Sequence, residues 1–261
     1  MSNSEKIIEI KDLKMTYGDK EVLKGINLDI YKGNIIGYIG SNGAGKSTTI
    51  KILLGLVKGY SGEVSIFGKN IENEDNNYEE KIGYVPEIAK VYESLTAREY
   101  LTFTGQIYGL DYEECDKKAL KLMEVLGIEE AYNSRLSSFS KGMKQKVVII
   151  SALIHNPDIL FLDEPLSGLD ANSVLLIKEI LQKLKEDGKT IFYSSHIMEV
   201  VEKLSDRIIL LNEGNIVADG NFEEIKNCNF EGSLEEIFNN LTGFDEHSEL
   251  ADKFVDILKG E

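Results

Sequence analysis

Gly40-Ser41-Asn42-Gly43-Ala44-Gly45-Lys46-Ser47-Thr48 is the stretch from which the rest of this chain can be read. It has the form G-x-x-x-x-G-K-[ST], which combines a bare backbone, one fixed cation and one hydroxyl. Glycines let the chain wrap closely around phosphate oxygens, so several N–H groups point inward as an anion nest. Lys46 is then placed for the β- and γ-phosphates of a nucleoside triphosphate, and Ser47 offers its hydroxyl to Mg²⁺. The preceding run Ile35-Ile36-Gly37-Tyr38-Ile39 reads as a buried strand. The following Thr48-Thr49-Ile50-Lys51-Ile52-Leu53-Leu54 reads as a helix, whose N-terminal dipole favours phosphate charge.

A second stretch answers the first. Ile159-Leu160-Phe161-Leu162-Asp163-Glu164 is an apolar strand delivering two carboxylates at its C-terminal end. Beside a phosphate-binding loop, Asp163 is expected to hold Mg²⁺, directly or through water. Glu164 is expected near the γ-phosphate as the base that polarises the attacking water.

Around these motifs the chain alternates between strand and helix signals. Ile8, Ile10 and Leu13, then Val22, Ile26, Leu28 and Ile30, follow the period-two pattern of half-buried strands. Gly62 to Gly68 and Ile82 to Val85 read as short strands, the second stopped by Pro86. Residues 72 to 80 are acidic without a base and read as a solvated loop, since their spacing matches no Ca²⁺ loop. From Thr96 to about Ile154 the periodicity is helical, opened by the capping box Thr96-Ala97-Arg98-Glu99. Strand–helix alternation then resumes with Ile159–Leu162, Thr190–Tyr193 and Arg207–Leu211. The expected fold is α/β: a P-loop NTPase core with a mostly parallel sheet, an N-terminal antiparallel β subdomain and an inserted helical subdomain at about 90–155.

From Asn221 onward, 41 residues hold 11 acids and 3 bases, a net charge of −8 and half the chain's total of −16. Ser233-Leu234-Glu235-Glu236 reads as a capping box, and Leu250, Phe254 and Leu258 share one face of a terminal helix. The tail 221–261 is thus expected to form two surface helices packed on the core. The charge of −16 argues against a nucleic-acid partner. Cys115 and Cys228 form no C-x-x-C pair and read as two reduced thiols. The polar N-terminus has no secretory apolar region, and no apolar run approaches the ~20 residues that span a bilayer. A soluble chain is expected, serving any membrane through a partner.

Leu136-Ser137-Ser138-Phe139-Ser140-Lys141-Gly142-Met143-Lys144-Gln145 alone is a serine-rich loop entering a helix. With the P-loop before it and Asp163 lying 23 residues beyond Ser140, the sequence resembles the ATP-binding subunit of ABC transporters, a resemblance that implies an ABC ATPase domain over 5–220. Ser140, Lys141, Gly142 and Met143 stand at the family's signature, which closes on the γ-phosphate held by the opposite subunit. By the same resemblance, Tyr17 is the aromatic that stacks on adenine. Ser167, Gly168, Leu169 and Asp170 form the loop that crosses the dimer interface, and His196 is the switch histidine on the γ-phosphate. His155 and His247 lack such context.

Three positions depart from the common pattern. Lys141 and Met143 replace the signature's usual Gly and Gln, and Glu87, after Pro86, replaces the glutamine of the loop that senses Mg²⁺ and the membrane partner. With the tail motif Leu234-Glu235-Glu236-Ile237-Phe238, these resemble bacterial exporters whose ATPase and permease are separate chains, such as drug, peptide-antibiotic and sodium extrusion systems. The resemblance implies ATP and Mg²⁺ as cofactors, with Ser47, Asp163 and Glu87 toward the metal. It also implies a homodimer or closely related heterodimer, an integral membrane permease partner, and a cytoplasmic location on the inner face of the membrane. An importer ATPase and a non-transport ABC ATPase remain open alternatives.

Overall fold

The computed structural model describes residues 5–73, 77–228, 232–242 and 247–259. The period-two runs form β1 (Lys6–Tyr17) and β2 (Lys20–Tyr31), paired antiparallel. With β4 (Ser61–Ile66) and β5 (Lys69–Asn70) they build a four-stranded antiparallel sheet of order β2-β1-β4-β5. A second, six-stranded sheet has the order β10-β9-β3-β8-β7-β6. It comprises β3 (Ile35–Gly40), β6 (Ile82–Val85), β7 (Ile159–Asp163), β8 (Thr190–Ser194), β9 (Arg207–Asn212) and β10 (Asn215–Gly220). All its pairs are parallel except β9 with β10.

Parallel strands buried on both faces read as continuous apolar runs, and here successive side chains go to two different cores. Ile35, Ile39, Leu160, Leu162, Ile191, Tyr193, Ile208 and Leu210 join one hydrophobic cluster with the helices. Ile36, Tyr38, Ile159, Phe161, Phe192, Ile209 and Leu211 join another with the antiparallel sheet and α1 (Lys46–Leu53). The six-stranded sheet is therefore sandwiched between the two cores.

Between β6 and β7 lie α2 (Ala97–Ile107), α3 (Tyr112–Val125) and α4 (Lys141–Leu153). The Thr96–Glu99 capping box is closed from both sides, with Glu99 N–H donating to Thr96 Oγ1 at 3.1 Å and Thr96 N–H to Glu99 Oε2 at 2.8 Å. Arg98 makes a two-pronged contact to Asp116, at 2.8 Å to each oxygen, tying α2 to α3. Tyr108 stacks on His155 with ring centroids 3.6 Å apart, which gives that histidine a packing role. After β7 come α5 (Ala171–Glu186) and α6 (Met198–Leu204).

Two regions differ from the sequence reading. The acidic loop ends in a helical turn, Tyr78–Lys81, with Tyr78 buried; residues 74–76 lie outside the described residues. Among its described residues the C-terminal region has three helices where the sequence predicts two: α7 (Phe222–Asn227), α8 (Leu234–Thr242) and α9 (His247–Lys259). The unexpected α7 starts at an Asn221–Glu224 capping box that the acidic composition conceals. Ile225, Leu234 and Ile237 are buried in the helix-side core, whereas Phe254 and Leu258 of α9 are exposed. The periodicity of α9 is that of an amphipathic helix, but its described apolar side chains do not pack on the core; the Leu250 side chain lies outside the described residues. Cys115 and Cys228 are both free thiols.

Gly83 shows how tightly the helices seat on the sheet. A Cβ there would run into the Ala152 carbonyl at the end of α4, and into the Leu160 and Pro157 side chains. Gly83→Ala should therefore lower the unfolding free energy by ~1–3 kcal/mol. Urea titration followed by circular dichroism measures it, and an unchanged midpoint would contradict the close packing described.

Candidate functional site

The glycine loop leaves β3 at Gly40 and enters α1 at Lys46. Gly43 and Gly45 sit at φ 81° and 109°, in the left-handed region that favours glycine. A side chain at Gly45 would also press on the Val22 carbonyl and Leu23, so the loop is seated against β2. Thr49 Oγ1 donates to Gly45 O, and Tyr38 OH to Thr49 Oγ1, both at 3.1 Å, which pins the first turn of α1. Lys46 Nζ donates to Gly40 O at 2.6 Å and Ser41 O at 3.1 Å, spanning the loop it is expected to serve. Burial lowers the Lys46 pKa; Asp163, Glu164 and Glu87 oppose that shift.

Strands β7 and β8 end beside this loop. Asp163 lies opposite Ser194 in register. Burial raises its pKa, Glu87 adds to the rise, and Ser194, Lys46 and His196 work against it. Glu164 turns the chain out of the strand at φ 49°, a conformation that costs about 1 kcal/mol or more in a non-glycine residue. Its amide donates to Ser194 O at 3.0 Å. Its carboxylate accepts from the His196 amide at 2.6 Å and from Ser195 Oγ at 3.2 Å. The exposed His196 ring stands with Nε2 3.8 Å from Glu164 Oε1.

These groups share one cleft of about 400 Å³, lined by Tyr17, Asn42, Gly43, Gly45, Lys46, Ser47, Thr48, Glu87, Asp163, Glu164 and His196. Gly40, Ser41 and Ala44 form the back of the loop: Ala44 is buried, and Ser41 Oγ contacts Asn212 Oδ1 at 3.3 Å. Lys20, Val22 and Ser194 also line the cleft. Sequence reasoning missed them because only the turn at Gly18-Asp19, and the register of β8, place them there. Tyr17 is half-exposed at the mouth, with ring surface free for stacking.

The signature residues stand elsewhere. Ser140 caps α4, accepting from the Met143 amide at 3.2 Å, and is not part of the glycine-loop cleft. Lys141 Nζ donates to Ser167 Oγ at 3.1 Å, and Gly142 has no room for a Cβ against Gly168 O. Gln145 Nε2 donates to the buried Pro165 carbonyl at 3.0 Å. Asp170 caps α5 through the Ser173 amide at 2.9 Å. The 140–145 and 165–170 segments are thus one locked unit. A neighbouring cavity lined by Glu87, Lys141, Ser167, Glu164 and His196 leads from it toward the carboxylates.

The donor set suits a hard cation with phosphates. Ser47, Asp163 and Glu87 offer oxygens only, and among the described residues no cluster of three or more His, Cys, Asp or Glu could hold a metal by itself. That matches Mg²⁺, which keeps waters and takes one or two carboxylates beside substrate phosphates.

The pattern described as "ABC transporter" matches residues 23–167. The chain belongs to the ABC transporter family. It is 41% identical over 214 residues to a linearmycin resistance ATP-binding protein of Bacillus subtilis, covering 82% of this chain and 69% of that one. It is 37% identical over 225 residues to a bacitracin transport ATP-binding protein of Bacillus licheniformis, covering 85% and 72%. A solved ATP-binding subunit of an ABC transporter superposes with TM-score 0.84 at 34% identity, covering 90% of this chain and 99% of that one. The chain is accordingly an ABC-type ATP-binding subunit and an ATP hydrolase. Among the described residues no helix is long and apolar enough to cross a membrane.

Burial of Asp163 has a measurable consequence for the nucleotide-free, metal-free ABC subunit. A carboxyl whose folded pKa is raised contributes stability fully below its unfolded value, ~3.9, and loses it as pH rises through the folded value. Asp163→Asn should therefore raise the melting temperature at pH 7, with the gain shrinking as pH falls toward 4. Differential scanning calorimetry across that range checks it; a gain that grows on acidification would mean the opposite shift.

Proposed function

We propose that this chain is the ATPase subunit of an exporter, working as a head-to-tail dimer with itself or a close relative on a separate integral membrane permease at the cytoplasmic face. The observation that carries this reading is the separation of Ser140 from the cleft that holds Lys46, Glu164 and His196. A second chain, turned head to tail, would bring its own Ser140 over the first chain's phosphates. Two ATP molecules would then be buried between two copies of each half-site. The export direction draws support from two relatives, named for linearmycin resistance and for bacitracin transport. The formal charge of −16 argues against a nucleic-acid partner.

Within one site, Tyr17 stacks on the adenine and the 40–48 loop wraps the phosphates. Lys46 exchanges its two carbonyl contacts for the β- and γ-phosphate oxygens. Ser47 and Asp163, with Glu87, would hold Mg²⁺, which would supply neutralisation of the phosphate charge. Glu164 orients the attacking water and accepts its proton, and His196 contacts the γ-phosphate. The partner's signature closes the site, and the Ser167–Asp170 loop relays that closure between subunits. ATP binding draws the dimer shut and hydrolysis opens it, a rigid-body switch the permease converts into transport.

Glu164→Gln keeps the shape of the base and removes its charge. ATP should still bind, turnover should fall by ~10²-fold or more, and size exclusion should show an ATP-dependent dimer. Lys46→Ala serves as the control that binds no fluorescent ATP analogue. Normal hydrolysis by Glu164→Gln would remove it as the base; an inactive variant that stays monomeric with ATP would remove the sandwich.

Glu87 makes a separate prediction. An ionised glutamate only accepts hydrogen bonds, where a glutamine also donates. Glu87→Gln should leave the fold and much of the basal rate intact but shift the Mg²⁺ concentration for half-maximal activity. An unchanged Mg²⁺ titration would take Glu87 out of the metal's surroundings.

A further inference from the structure

Glu164 is anchored on both carboxylate oxygens by the segment that follows β8. Oε1 accepts the His196 amide at 2.6 Å, and Oε2 accepts the Ser195 hydroxyl at 3.2 Å. The Ser195 oxygen in turn accepts the Ile197 amide at 3.2 Å. Ser195 is buried while the His196 ring beside it is exposed, so adjacent residues divide the work between the interior and the cleft.

The direction of these bonds follows from their chemistry. An ionised carboxylate can only accept, so the hydroxyl proton must point to Glu164. The Ile197 amide points its hydrogen at the serine oxygen and occupies a lone pair, which favours that same rotamer. The last torsion of a glutamate is otherwise broad and roughly two-fold. One anchor would leave the carboxylate free to swing about that contact. Two anchors on different oxygens fix its plane and leave other lone pairs facing the cleft.

We propose that Ser195 is a positioning residue for hydrolysis, its hydroxyl fixing the plane of the Glu164 carboxylate so that the free lone pairs meet the attacking water in line. The inference rests on Glu164 being the base. Ser195 is buried and does not line the cleft that Glu164 and His196 line, so it acts through Glu164. Misplacement of a reacting group by about 1 Å is enough to cost rate without costing affinity.

The test uses the full chain, with single-turnover hydrolysis at saturating Mg-ATP, equilibrium binding of a fluorescent ATP analogue and a thermal melt for every variant. Ser195→Ala should lower the hydrolysis rate about tenfold and leave nucleotide affinity within about twofold, a rate effect without a ground-state binding effect. Ser195→Thr, which keeps the hydroxyl, should recover most of the rate. If the alanine variant does not fold, Ser195→Cys, similar in shape but a weak donor, takes its place with the same expected loss. The deciding measurement is the double variant. Combined with Glu164→Gln, Ser195→Ala should cause no further loss, because the two act as a unit. Losses that multiply would assign Ser195 a general structural role and overturn the proposal, as would a wild-type rate for folded Ser195→Ala. Full activity of Glu164→Gln alone would instead overturn the reading of the base. An inactive Glu164→Gln beside a fully active Ser195→Ala overturns only the role of Ser195.

Discussion

The register of β7 against β8 is the constraint on which the site depends. Phe161 faces Phe192 and Leu162 faces Tyr193 across the pair, and each couple belongs to a different core. The Phe161 and Phe192 rings meet at 4.9 Å between centroids. A slip of one residue would send both apolar couples to the wrong faces. The same register sets Asp163 opposite Ser194 and lets the Glu164 amide reach Ser194 O. The carboxylates stand where they do because the hydrophobic residues behind them admit one alignment. Strain at Glu164, held at φ 49°, is carried by that alignment and by the three hydrogen bonds made with residues 194–196.

A second dependence runs from the helices to the same strand ends. Gln145 on α4 grips the Pro165 carbonyl immediately after Glu164, and Lys141 and Gly142 pack on Ser167 and Gly168. The end of α4 that carries Ser140 therefore cannot shift without moving the turn that carries Glu164. In the proposed dimer, closure of one chain's signature over its partner's phosphates would thereby reach the closing chain's own Glu164, the base of the other site. Glu87, just after β6, lines a cavity with Asp163 on one side and with Lys141 on the other, where motion of the helices would be felt at Asp163.

Much of this was legible in the sequence, for identifiable reasons. The 40–48 loop is local: its glycines, Lys46 and Ser47 are fixed by their own spacing. Asp163 and Glu164 were legible because an apolar strand can deliver polar residues only at its end. Ser140 was legible as a helix start, and its placement outside the glycine-loop cleft required the fold. Ser195 was not legible, because its role depends on a hydrogen bond across 31 residues that no spacing encodes. Lys20 and Val22 were missed because the turn at Gly18-Asp19 brings them to the cleft. The helix α7 was hidden by acidic residues that read as solvated chain, although Ile225 is buried on the core. The exposed apolar face of α9 shows the converse: periodicity predicts a helix without saying what it packs against.

Complementation between two inactive variants tests most directly whether a second chain completes the site. Lys46→Ala removes the phosphate cation and keeps the signature; Ser140→Arg blocks the signature and keeps the phosphate loop. Each alone should be nearly inactive. Mixed in equal amounts, half of randomly paired dimers would hold one intact composite site, so activity should return toward about a quarter of the wild-type value. A mixture no more active than the sum of its parts, or a fully active Ser140→Arg chain, would contradict a site built from two chains.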